Sequence, residues 1–264
     1  MGCASARCRR EPGGCLQAPG IRRREVIDRP ARRNALNLAL RAQIADEVLL
    51  AGNDSDVRVV VITGETDFAA GADVSELADA TPIELMARRV HRYAQTVADC
   101  PKPVIAAIEG LALGGGLELA LCTDIIVAAE NARIGFPEIK LGIFPGGGGT
   151  QRLLRRVSLS TAYLMLYTGQ ILTGREAFDR GLVSAIAPPG EAFKVAMQTA
   201  ATISDLPPLA LAQLKDVVGA AQEVPLSQGL KLERNAFQVL FASEDQKAGM
   251  RAFLEKTKPV FTGR

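Results

Sequence analysis

From residue 25 onward, short apolar runs alternate with stretches of helical periodicity. Val57–Ile62 (VRVVVI), Val104–Ile108 (VIAAI) and Ile125–Ala129 (IIVAA) are β-branched and apolar over the length of a buried strand. Thr81-Pro82-Ile83-Glu84 reads as a helix start, with Thr as N-cap, Pro at the first helical position and Glu at the third. Met86, Val90, Tyr93 and Val97 then recur at i, i+4, i+7 and i+11, which predicts one apolar helical stripe. Strands alternating with helices predict an α/β fold with crossover connections. After about residue 151 the pattern turns mostly helical. The predicted helices are Gln151–Thr168, Thr173–Arg180, Glu191–Ser204, Pro208–Ala221, Leu226–Phe241 and Glu244–Lys256, with one short strand at Val183–Ala187. The expected organisation is an α/β core over residues 25–200 and a helical region over 201–264.

Residues 1–24 are set apart from that core as an atypical tail. Residues 1–20 (MGCASARCRREPGGCLQAPG) show neither period. A disordered or wrongly assigned start suits their composition best. An Arg-rich transit peptide is the second reading, although the stretch has little amphipathic pattern. For an N-myristoylation signal, Gly2 and Cys3 fit but Ala6 stands where Ser or Thr is needed.

Composition narrows the function. With 264 residues, 48% hydrophobic and 23% charged, the chain can bury a sizeable core without disulfides. Every long apolar run is interrupted before the ~20 residues a membrane-spanning helix needs. The net charge of +2 is uneven: residues 1–33 hold nine Arg against three acids, so the remainder carries −4. The body therefore lacks the basic footprint of a nucleic-acid binder. One His and no Cys-x-x-Cys make a His- or Cys-built metal site improbable. His91 lies off the apolar stripe and is expected at the surface. The odd count of five Cys, with Cys100 and Cys122 far apart in the body, points to a reducing compartment.

Two segments are dense in glycine, Gly110–Glu118 (GLALGGGLE) and Leu141–Thr150 (LGIFPGGGGT). Neither is a nucleotide loop. Gly149 is followed by Thr150-Gln151 rather than Lys-Ser/Thr, and the third glycine of a G-x-G-x-x-G is replaced by Leu119 or Gln151. Glycine also permits positive φ and close backbone approach to a ligand. Gly114–Gly116 lies between a strand and an apolar run read as a helix, where unpaired N–H groups and a positive partial charge suit an oxyanion. A purely steric turn is the alternative. Phe68–Val74 (FAAGADV) offers a second close backbone approach, with Asp73 as a helix cap. Glu118, three residues after Gly115, shares its helical face and stands among Leu117, Leu119, Ala120 and Leu121. Glu138 stands before the second glycine cluster. Two carboxylates in different surroundings can be tuned into an acid and a base. Taken singly, each reads first as a surface or ion-paired residue; it is the pairing of both with glycine turns in apolar sequence that favours chemistry.

Together these segments resemble the crotonase, or enoyl-CoA hydratase/isomerase, superfamily. The resemblance runs from Arg29-Pro30 to Phe261 through Arg33–Asn37 (RNALN), Phe68–Asp73 (FAAGAD), Gly110–Leu119, Phe136–Leu141 (FPEIKL), Pro145–Leu153 and Lys247–Lys256. It implies a spiral of ββα units with a helical C-terminal trimerisation region, assembling as a homotrimer or as a hexamer built from two trimers. It implies an acyl-CoA substrate and an oxyanion hole made by the N–H groups of Ala72 and Gly115. Glu118 and Glu138 match the two catalytic glutamates of hydratases. Arg33, Ala35, Ala70, Asp73, Val74 and Ser75 match regions that hold the CoA moiety, and Gly146 matches a contact near the acyl group. Coenzyme A enters as part of the substrate, and no cofactor or metal is expected. The expected compartment is the cytoplasm, or the mitochondrial matrix in a eukaryote, with no membrane insertion and no nucleic acid partner. Two departures stand out. Only Arg24–Asp28 resembles the family's first strand pair, and Ser75 replaces a Lys found in some hydratases. The expected activity is hydration of 2-enoyl-CoA thioesters. The alternatives are an isomerase of the same fold and a non-catalytic acyl-CoA or RNA-binding member.

Overall fold

The computed structural model describes residues 7–10 and 21–264. In chain order it contains β1 (Arg7–Arg10), β2 (Ile21–Asp28), α1 (Leu38–Asn53), β3 (Val57–Gly64), α2 (Pro82–Arg88), α3 (His91–Ala98), β4 (Val104–Ile108), β5 (Leu111–Leu113) and α4 (Gly115–Ala120). There follow β6 (Ile125–Ala129), β7 (Arg133–Gly135), α5 (Gly149–Leu154), α6 (Leu159–Thr168), β8 (Ile171–Thr173), α7 (Gly174–Asp179) and β9 (Ala185–Ala187). Four helices complete the chain: α8 (Ala192–Ser204), α9 (Pro208–Ala220), α10 (Leu226–Leu240) and α11 (Glu244–Glu255).

Two sheets define the architecture. The larger has the order β1-β2-β3-β4-β6-β9, parallel throughout except for the antiparallel β1–β2 pair. The smaller has the order β5-β7-β8, with β5 and β7 parallel. The chain alternates between them: β4 in the large sheet runs on to β5 in the small one, and β6 runs on to β7. After β3, the Phe68–Ala72 segment occupies the equivalent place beside β5, through a parallel bridge from Ala69 to Ala112. This repetition is a spiral of ββα turns, and it stacks successive loops at the C-terminal ends of the small-sheet strands.

The core follows from sequence. Val59–Ile62 and Val104–Ile108 are fully buried, as expected of parallel strands covered on both faces. Helix α8 lies over the sheet on Ala192, Ala196 and Ala200, a row of small side chains that permits close approach. Helix α1 buries Leu40, Ile44, Val48 and Ala51.

Four local expectations change. The stripe from Met86 to Val97 is not one helix: Arg89, at φ 45°, ends α2, and α3 starts afresh at His91. Met86 is exposed while Val97 is buried. The stretch 151–168 divides into α5 and α6, because Ser158 accepts from the Thr161 N–H and caps a new start. The strand expected at Val183–Ala187 shortens to Ala185–Ala187. Finally, the boundary at residue 24 falls inside β2. Residues 7–10 and 21–28 form an antiparallel first pair, of which the sequence showed only Arg24–Asp28. The readings of residues 1–6 and 11–20 lie outside the described residues. His91 is exposed, as expected. Among the described residues, no helix is long and apolar enough to cross a membrane.

Candidate active site

Three loops meet where the chain leaves the small-sheet positions. The first carries Ala72, the second Gly114 and Gly115, the third Phe136–Glu138. Because Phe68–Ala72, β5 and β7 run side by side and parallel, their following residues emerge together. Among the described residues, no backbone acceptor lies opposite the N–H of Ala72 or of Gly115. Gly115 opens α4, where helix geometry leaves the first N–H groups unpaired. The two donors are neighbours: a Cβ placed on Gly115 would stand 3.2 Å from the Ala72 nitrogen. Gly114 turns the chain into this position at φ 49°, a conformation that favours glycine.

Glu118 is buried one turn into α4. Its Oε1 accepts from the N–H groups of Gly147 (2.7 Å) and Gly149 (2.9 Å). The second glycine cluster therefore has a definite job: it wraps its backbone around the Glu118 carboxylate. Oε2 accepts no hydrogen bond among the described residues.

Glu138 starts a short 3-10 turn after β7. Its carboxylate packs over the Cα of Gly114, where a Cβ would lie 2.7 Å from Glu138 Oε1. Its Oε2 is buried without a hydrogen-bond partner. Burial pushes its pKa up to about 7, its own backbone N–H opposes the rise, and the charge on Glu118 adds to it. The two carboxylates thus flank one glycine turn in unlike surroundings: one is held by two donors, and the other is desolvated and short of partners.

The residues matched to CoA-holding regions also come together. Arg33 and Asn34 take positive φ, and the turn is fixed by Asn34, which accepts from the Arg29 N–H and donates to the Asp67 carbonyl. Ala70 donates to the Arg33 carbonyl, Leu36 to Gly71, and Asp73 to Leu36, so Ala35 and the 70–73 segment run alongside each other. Arg33 is exposed and paired with Asp67, and Val74 and Ser75 are also exposed. The Asp73 carboxylate already accepts from the Ser75 hydroxyl (2.6 Å) and N–H and from Arg29 (2.6 Å); the Ser75 hydroxyl first, then Arg29, hold its pKa below the usual carboxylate range against the effect of burial. Gly146 is exposed beside Gly147, with open space at its Cβ position.

Sequence reading missed three participants. Gly147 and Gly149 were hidden in a run of four glycines, in which nothing marks the ones that donate. Arg41 was also missed. It reaches the cleft from α1, and its guanidinium occupies the space a side chain on Gly115 would need. Its signal was present: Arg41, Ile44, Ala45 and Val48 fall on one helical face, and all but the arginine are apolar. Beneath the site, Cys122 donates its thiol to the Glu118 carbonyl, and burial pushes its pKa up to about 11. It stays protonated at neutral pH and is no nucleophile.

Two backbone N–H groups and two carboxylates gathered around one glycine turn of a ββα spiral are the arrangement that the resemblance to the crotonase superfamily implies. The family model described as "Enoyl-CoA hydratase/isomerase" matches residues 26–264. The chain is 46% identical over 241 residues to 2,3-dehydroadipyl-CoA hydratase of Escherichia coli K12, covering 90% of this chain and 94% of that protein. It is 39% identical to crotonyl-CoA hydratase of Syntrophomonas wolfei, covering 90% and 93%. A solved enoyl-CoA hydratase subunit from Geobacillus kaustophilus HTA426 superposes with a TM-score of 0.90 at 42% identity, covering 94% of this chain and 97% of that one. The chain belongs to the enoyl-CoA hydratase/isomerase family. Within it, the chain is most like the enoyl-CoA hydratases, which are lyases.

Proposed function

We propose that the chain adds water across the 2,3 double bond of a 2-enoyl-CoA thioester to give a 3-hydroxyacyl-CoA, with Glu118 and Glu138 as the proton-handling pair. The carrying observation is that both carboxylates flank the Gly114–Gly115 turn in surroundings that differentiate them. Glu118 takes a proton from water as the water oxygen bonds to C3. The double-bond electrons move toward the thioester, and the negative charge on its oxygen is received by the Ala72 and Gly115 N–H groups. Each such donor contributes about 3–4 kcal/mol in comparable oxyanion holes. Glu138, raised by burial to a pKa of about 7 and so partly protonated near neutral pH, delivers its proton to C2. Return of the proton from Glu118 to Glu138 through solvent closes the cycle. No step calls on a metal or redox cofactor, and coenzyme A arrives with the substrate.

Arg33, Ala35, Ala70, Val74 and Ser75 hold the CoA portion, with Asp73 contributing through its backbone, and Gly146 lines the acyl end. The chain assembles as a trimer or hexamer through the C-terminal helices. Leu226, Phe237, Val239, Phe253 and Leu254 are more than half exposed in the single chain, which supports this reading. The free, buried thiols of Cys100 and Cys122 suit the cytoplasm or a mitochondrial matrix. The decisive assay follows the enoyl absorbance of 2-butenoyl-CoA and identifies the product. Loss of absorbance with formation of the 3-hydroxy product is expected. A shifted double bond with no water added would point to the isomerase instead. Sedimentation at micromolar concentration should show three or six copies, and a stable monomer would refute the assembly.

A further inference from the structure

The two N–H groups that hold Glu118 are not themselves held alike. Gly149 opens α5 and backs onto Phe136 and Pro145, whose side chains fill the space a Cβ would need. Its donor is built into the helix and the core. Gly147 lies two residues before α5. On one side of it is Gly146, exposed and with open space at its Cβ position. On the other is Gly148, at φ 113°. Consecutive glycines have more backbone freedom than any other residues. Yet the shorter bond to Glu118, 2.7 Å against 2.9 Å, comes from Gly147. That donor needs support from outside the loop.

Arg152 supplies it. From α5 its side chain folds back over the loop. The guanidinium fills the space that a side chain on Gly148 would need, and Nη1 donates to the Gly147 carbonyl at 3.3 Å. Nη2 donates to Gln95 Oε1 at 3.0 Å. The Gln95 amide is turned to suit, because its Nε2 donates to Asp99 Oδ1 at 2.7 Å. Helix α3, which carries Gln95, is anchored in the core by Ala94 and Val97. A planar guanidinium with donors on both terminal nitrogens can span two acceptors in fixed directions. One side chain thus ties the glycine loop to α3. We propose that Arg152 is a positioning residue for hydration: by bracing the Gly147 peptide it keeps that N–H on Glu118, and so fixes the carboxylate that takes the proton from water. This rests on the hydratase reading above, with Arg152 acting only through Glu118.

The test is a mutant cycle on the hydration of 2-butenoyl-CoA. Arg152→Ala should lower kcat by ~10-fold to ~100-fold, the upper end being what an ångström of misplacement costs, with KM near native. In the Glu118→Gln protein the same substitution should cost less than ~2-fold, because residues that act through one group are not additive. Arg152→Lys, which keeps the charge without the planar fork, should recover part of kcat. Gln95→Ala, at an exposed position of α3, removes the far anchor without touching the loop. It should lower kcat by a smaller factor and lose that effect in the Glu118→Gln protein, and it carries the test if Arg152→Ala does not fold. An equal loss in both backgrounds, a raised KM at unchanged kcat, or native turnover overturns the proposal. Failure of the native protein to hydrate, or full hydration by Glu118→Gln, brings down the hydratase reading and the brace with it. Hydration that needs Glu118 but not Arg152 overturns the brace alone.

Discussion

The Glu118 carboxylate occupies the space that a side chain at Gly147 would need: a Cβ there would stand 2.6 Å from Glu118 Oε2, while the Gly147 N–H donates to Oε1 at 2.7 Å. The glycine is thus required twice, for its missing side chain and for its backbone donor. Gly147→Ala should move the carboxylate by around an ångström while leaving most of the core untouched. A displacement of that size costs about 100-fold in turnover, and the overpacking about 1–3 kcal/mol in stability. Steady-state hydration and thermal melts of the variant check both. Turnover within a few-fold of native would show that the position of Glu118 is unimportant.

Glu138 gives the site a pH dependence of defined sign. An ordinary glutamate ionises near 4.5, and burial raises Glu138 to about 7. If it donates the proton to C2, kcat/KM for hydration should fall as pH rises through about 7. Stability runs the same way. The folded state binds its proton more tightly than the unfolded chain, so folding weakens as pH rises from 4.5 to 7 and is constant above that. Glu138→Gln removes this dependence. Its melting temperature should exceed that of the native protein at about pH 8, with the gap closing near pH 4.5. A gap that is the same at both ends would remove the desolvated carboxylate as its cause.

Much of the site was legible in the chain because its parts are local. The FAAGAD, GGGLE and FPEIKL segments each combine small or apolar residues with one functional group, and a spiral that repeats its crossover brings such segments together. Relations between distant turns were not legible. Nothing in the run Gly146–Gly149 says that two of its N–H groups face Glu118, about thirty positions earlier. The strands β5, β7 and β8 have three residues each, too few for any period to show. The misread helix from Met86 to Val97 had the right spacing. Its break lies in the backbone of Arg89, which carries no sequence mark of the left-handed conformation it adopts.

The oxyanion assignment separates two substitutions at Gly115. Proline is tolerated at the first position of a helix but has no N–H to donate. Alanine keeps the N–H and, like proline, adds a Cβ that must displace the Arg41 guanidinium. The difference between the two variants therefore isolates the donor. Gly115→Pro should be slower than Gly115→Ala by about 10²–10³-fold, the usual loss of one oxyanion donor. Circular dichroism should confirm that both fold. Equal rates in the two folded variants would refute the assignment.

The two glutamates are distinguished by replacing each with glutamine, which keeps nearly the same volume but cannot exchange a proton near neutral pH. Each variant should hydrate 2-butenoyl-CoA at least ~100-fold more slowly, the low end for acid–base catalysis. Their isotope behaviour should differ. In Glu118→Gln, Glu138 still stands over Gly114, so exchange of the C2 hydrogen of a bound acyl-CoA with deuterated solvent should survive while water addition stops. In Glu138→Gln the group proposed to carry the C2 proton is gone, and both should stop. Acyl-CoA affinity should stay close to native in each, because the residues proposed to hold the CoA portion, among them Arg33, Ala70 and Ser75, are untouched. Deuterium uptake followed by mass spectrometry, beside hydration rates and binding, resolves the roles. Exchange retained in Glu138→Gln and lost in Glu118→Gln would reverse the assignment of acid and base, and undiminished hydration in either variant would remove that glutamate from the reaction.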